Sequence, residues 1–148
     1  MGIGLYDSEQ VQLSMNGSGQ VIDPLRTVHD GKKGGAHDTL LHVRNDNAGL
    51  WYHDIVVEYE ADVGIDAGPL GNTGWAIKFI AGTRQPTERE WEQAVPGGQI
   101  SLANLGAAGD PDTTTYLPFW ARVYCPGGTP AQLRVGQLVR VSYIEEPV

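Results

Sequence analysis

Four histidines, two aspartate pairs and one glutamate pair are the groups in this 148-residue chain whose types and spacing invite a chemical reading. His29 and His37 flank a Gly-Lys loop, His42 lies within an apolar run, and His53 opens the next one. Metal ligation needs several donors converging, and H-E-x-x-H and the other familiar spacings are missing. His37, Asp38 and His42 are the set that would meet across a turn; surface or capping roles are the plainer reading. Asp62 and Asp66, in D-V-G-I-D-A-G, and Asp110 and Asp112, in G-D-P-D-T, have the oxygen-rich look of calcium loops without the EF-hand order of ligands. Aspartates among Gly and Pro more often form turns. Glu58 and Glu60 share one face of a strand, as paired-carboxylate hydrolysis would need, but their neighbours are polar and nothing there raises a pKa. No G-x-S-x-G occurs, and G-K-K-G-G lacks the order of a phosphate loop, so Lys32 and Lys33 read as a flexible basic loop. The expectation is a protein without catalysis, cofactor or metal.

Composition narrows the classes further. Eighteen acidic residues against ten basic ones leave a net charge of -8, which argues against a protein that grips the nucleic-acid phosphate backbone. The plain meaning of that charge is a self-repelling, solvated surface. The single cysteine, Cys125, excludes an intrachain disulfide and a zinc finger, and on the inward face of a strand it acts as a small hydrophobe. No run is long and apolar enough to span a bilayer, so no membrane partner is expected. The start M-G-I-G-L-Y-D lacks the basic and apolar regions of a signal peptide, and Tyr6 stands where a myristoylation start needs Ser or Thr.

The elements that must position these groups are organised around Y-L-P-F-W-A-R-V-Y-C, Tyr116 to Cys125. Turn formers bracket this dense aromatic and β-branched run. Phe119, Ala121, Val123 and Cys125 share one face, while Trp120, Arg122 and Tyr124 share the other. Such a run makes a central strand, with Pro118 at its entry or at a bulge. Further strands are predicted at Thr39–Arg44, at Leu50–Ala61 with Ile55, Val57, Tyr59 and Ala61 inward, at Trp75–Ile80, at Ile100–Leu105, at Ala131–Val135 and at Gln137–Ile144. A long connection covers Val63 to Thr73. One helix is predicted over about 87–95, because Thr87 and Glu90 form a capping box, with Trp91, Ala94 and Val95 on one face. It is expected to plug an open end of the sandwich. The fold class is therefore all-β, an antiparallel two-sheet sandwich of immunoglobulin-like or jelly-roll kind. Residues 1–38 read as an N-terminal arm or edge hairpin with a Gly-rich loop, in which Val11 and Leu13 pair with Val21 and Ile22; residues 39–148 read as the sandwich domain.

Three stretches carry a resemblance: L-H-V-R-N-D-N-A-G-L-W-Y-H-D-I (Leu41–Ile55), G-T-R-Q-P-T-E-R-E-W (Gly82–Trp91), and D-T-T-T-Y-L-P-F-W-A-R-V-Y-C-P-G-G-T-P (Asp112–Pro130). Together they resemble a group of small structural proteins of tailed bacteriophages. The resemblance implies a β-sandwich virion component of the capsid decoration, neck or tail, without enzymatic activity. A cement protein on the capsid lattice is the favoured form, since an arm gains from many tethered contacts. Its expected partners are the major capsid protein or other virion proteins and further copies of itself, with a trimer favoured. The expected interaction residues are Trp51, Tyr52, Trp75, Lys32 and Lys33. The rival is a glycan-binding module with exposed Trp51, Tyr52 and Trp75 as its stacking platform.

Overall fold

The computed structural model describes residues 2–23, 26–61, 76–128 and 137–148. In chain order its elements are β1 (Ile3–Asp7), β2 (Gly35–Asn45), β3 (Leu50–Ala61), β4 (Ala76–Ala81), α1 (Glu88–Gln93), β5 (Ile100–Leu102), β6 (Tyr116–Cys125) and β7 (Gln137–Pro147). The strands form two antiparallel sheets, one ordered β1-β2-β6-β4 and the other β5-β3-β7. The expected all-β two-sheet architecture is what the chain adopts.

The aromatic strand β6 is central, flanked by β2 on one side and β4 on the other. Its period-two face lies in the core: Phe119, Ala121 and Cys125 are buried, and Val123 packs against the same cluster. Leu41 and Val43 from β2, Ile77 and Phe79 from β4, and Ile55 and Val57 from β3 complete the space between the sheets. Each fully buried side chain of this size contributes roughly 1.5–3 kcal/mol relative to an exposed one. Pro118 stands near the entry of β6, and its carbonyl accepts from Gly82 just beyond the last β4 pair, so its missing amide falls where the β4 ladder ends.

The structure departs from expectation in three places. First, β2 starts at Gly35 and so runs across the expected boundary at 38/39, and Ile3–Asp7 is a full strand of the first sheet. The hairpin that follows blunts the edge of β1: Leu13 and Ser14 donate to the Leu5 carbonyl, and Gly17 donates to that of Ile3. Second, α1 is shorter than expected and does not plug an end. It lies on the outer face of the first sheet, where Lys78 donates to the Trp91 carbonyl and Arg122 stacks on the Trp91 ring. Third, the β3–β7 register slips between His53 and Val56, where Asp54 has a φ of 50°. That bulge inverts the alternation upstream, so Tyr52 points into the core and Trp51 points out. The connection Val63–Thr73 and the strand expected at Ala131–Val135 lie outside the described residues.

Candidate functional site

Among the described residues, the expected interaction residues do not gather in one place. Tyr52 is fully buried, which corrects its reading as an exposed platform residue. Its hydroxyl donates to Glu145, and burial, reinforced by that carboxylate, pushes the phenol well above its usual pKa. Lys32 and Lys33 are exposed on a tight turn in which Asp30 accepts from both of their amides. The turn is tied to the loop after β6, where Gly128 donates to the Lys32 carbonyl. Trp51 is half-buried on the outer face of the second sheet. Trp75, Asp62 and Asp66 lie outside the described residues, as does the side chain of Glu60.

Among the described residues, several of the groups that invited a chemical reading are occupied in holding elements together. His37 and His42 fall five residues apart on an unbroken strand and so face opposite sides of the sheet. Asp38 is bound bidentately to Arg122, through Oδ1 to Nε and Oδ2 to Nη2 at 2.8 Å. Glu88 of α1 takes the remaining guanidinium donors at 2.9 Å. Hydrogen bonds from Arg122 hold both carboxyls below their ordinary pKa, although burial opposes this at Asp38. His42 is buried, which lowers its pKa, and its Nδ1 lies 2.6 Å from Gln10 Nε2. Asp110 Oδ1 accepts from the Asp112 amide, a turn-forming bond. Glu58 faces Arg140 across β3 and β7.

Two surfaces are built differently from the rest. The first is the N-terminal hairpin, closed by a Met15 amide to Gln20 carbonyl bond, an Ile22 amide to Leu13 carbonyl bond, and a Ser14–Val21 bridge. Leu13 is its anchor in the core, and Asn16 reaches the Tyr6 hydroxyl at 2.7 Å. A Cβ on Gly4 would collide with Asn16, so glycine there permits the close approach. The hairpin and the described chain beyond it also leave large apolar side chains open: Val21 is 58% exposed, Ile22 53% and Val28 83%, with Val11 and Met15 nearly half exposed.

The second surface is a cleft of about 290 Å³ beside Trp51, lined also by Asn104, Gly106, Asp110, Thr113 and Thr114. Its floor is fixed by paired backbone bonds between Tyr52 and Leu105 and by Gly106 donating to the Thr114 carbonyl. Asn45, buried at the end of β2, clamps it from beneath. Its amide donates to the carbonyls of Leu50 and Gly106, and its oxygen accepts from Asn47. The inward parity of Asn45, after Leu41 and Val43, was the signal in the sequence for this role. The buried Arg122 was signalled likewise, by a charge in the middle of the aromatic strand. Comparison with protein families, with curated proteins and with solved structures finds no match to this chain.

Proposed function

We propose that this chain is a non-enzymatic structural protein of a bacteriophage virion, a decoration or cement protein that seats on the outer capsid and against neighbouring copies. The observation that carries the reading is the apolar N-terminal segment. Of the large hydrophobic side chains that stand exposed among the described residues, Val11, Met15, Val21, Ile22 and Val28 fall in this one stretch, and Val95, Tyr116, Ile144 and Val148 are scattered. Exposed apolar groups concentrated on one segment mark a surface made to be covered by protein. The rigid sandwich behind it favours the same role, because Arg122, Asp38 and Glu88 are engaged in fixing elements rather than converging on a cleft. The hairpin is anchored through Leu13, so its exposed side chains are presented in a fixed geometry, which lowers the ordering cost of binding.

The test is light scattering of the purified protein combined with co-sedimentation on parent capsids. Wild type is expected to form a symmetric oligomer and to bind at micromolar concentration. Ile22→Glu combined with Val28→Glu should weaken binding at least about tenfold, since charge would be buried at the contact, while the melting temperature stays within a few degrees. A wild-type chain that stays monomeric and sediments with neither capsids nor tail assemblies would remove the proposal.

A further inference from the structure

Trp51 carries a second surface that the assembly reading does not use. Its indole is backed by the His53 ring, with centroids 5.0 Å apart and planes within 30°. His53 is itself held between Asp54 at 3.0 Å and Glu146 at 3.3 Å. The platform is thus braced from behind, on strands whose register is fixed by the Trp51–Glu146 pairing. The cleft it borders has a volume near the small end of ligand pockets, enough for one ring-sized ligand.

The polar lining is unspent. Among the described residues, the Asn104 amide and the hydroxyls of Thr113 and Thr114 bond to no other group, and Asp110 uses only Oδ1. Amide, hydroxyl and carboxylate groups beside a fixed aromatic face are what a polyhydroxylated ring needs: its C–H face lies on the indole and its hydroxyls find donors and acceptors at the rim. Gly106 lets the Thr113 side chain pack directly against the backbone, since a Cβ there would collide with it. Asp110 in the lining and Glu146 beside Trp51, within a chain of net charge -8, repel sialylated, sulfated or phosphorylated sugars. We infer that the cleft beside Trp51 binds a neutral pyranose, such as the terminal unit of a cell-surface or cell-wall glycan, with Trp51 as the stacking platform and Asn104, Asp110, Thr113 and Thr114 as its polar rim.

Saturation-transfer NMR and calorimetry with methyl galactopyranoside, methyl glucopyranoside and N-acetylglucosamine test this, with sialic acid as the charged comparison. At least one neutral sugar is expected to bind with a Kd of roughly 1 mM, as one ring on one platform allows, and sialic acid should be excluded. Trp51→Ala should weaken binding about tenfold or more, and Trp51→Phe should recover part of it because a smaller aromatic face remains. Thr114→Val, at the rim and exposed, should weaken it severalfold without disturbing the fold. Absence of any neutral-sugar signal at about 20 mM, or a signal that Trp51→Ala leaves intact, overturns the inference. Neither outcome touches the hairpin, whose capsid-binding test uses none of these residues.

Discussion

The two sheets treat their outer faces in opposite ways. On the first, β6 carries Arg122 outward, and the chain returns to cover it: α1 brings Trp91 over the guanidinium at 4.8 Å and Glu88 onto its donors, while the N-terminal segment covers Tyr6 and His42 at the other end. On the second, Glu58, Arg140, Ser142 and Ile144 stand open to solvent or nearly so, and Trp51 borders an open cleft. Trp91 and Trp51 make the same point with one residue type. Trp91 is fully buried and acts as a seal, whereas Trp51 is half-buried and presents a face. A covered face stabilises the sandwich; an open one is where a ligand or partner can be met.

The comparison breaks most readily at Arg122. Its side chain is 8% exposed, and that of Asp38, its bidentate partner, 13%. Arg122→Leu would leave the Asp38 carboxylate buried without its partner, a change that costs about 3–5 kcal/mol in such sites. Urea unfolding followed by circular dichroism should register that loss. Adding Asp38→Leu to Arg122→Leu should restore most of it, because an apolar pair of similar volume replaces the ions at little net cost. A single variant that loses less than about 1 kcal/mol would mean that α1 is not a true cover.

How much of this was readable beforehand follows from which interactions are local. The centre of the first sheet was readable at β6, because alternation and bracketing turns both lie within the strand. The start of α1 was readable too: Thr87 and Glu90 exchange both capping bonds in the structure, at 3.1 and 3.2 Å. Where α1 docks was not, because its apolar stripe of Trp91 and Ala94 fits a sandwich end as well as a sheet face. Glu88 illustrates the gap. In the sequence it is a first-turn acid that suits the helix dipole; in the fold it reaches across to Arg122, thirty-four positions away. The phase of β3 was lost for a different reason. One bulged residue, Asp54, reverses the alternation before it, and Asp at positive φ looks like any other polar residue on the wet face. The expected stacking platform of Trp51, Tyr52 and Trp75 therefore loses Tyr52 to the core, with Trp75 outside the described residues.

Acid provides a sharper probe of the covered face. Asp38 titrates below its ordinary 3.8 and Glu88 below its ordinary 4.5, in both cases chiefly because Arg122 hydrogen-bonds the charged carboxylate. The unfolded chain therefore binds more protons than the folded one in this range. Stability from these groups is fully present above about pH 5 and is lost as the pH falls through roughly 4 towards the folded values. Melting temperatures of wild type and Asp38→Asn, measured from pH 7 to about 2.5, should converge as the pH drops, since the variant has already lost what acid removes. Parallel curves with a constant offset would show that the Asp38–Arg122 pair does not titrate with folding.

The smallest expected effect belongs to the open face and completes the comparison. Glu58 and Arg140 are directly opposed on β3 and β7, in the same cross-strand relation as Asp38 and Arg122. Chemistry and register match; cover does not. The Arg140 side chain is 61% exposed, its Nε lies 3.8 Å from Glu58 Oε1, and Ser142 Oγ also bonds that oxygen. Water screens the pair, and holding a long side chain in place costs entropy, so Arg140→Ala should lose less than about 1 kcal/mol. Raising salt to about 1 M should erase even that, because the screening length falls to roughly 3 Å. The Arg122→Leu loss should persist under the same salt, since ions reach a sealed pair poorly. If Arg140→Ala instead cost as much as Arg122→Leu, the face beside Trp51 would be as covered as the face beneath Trp91, and the division of labour between the two sheets would fail.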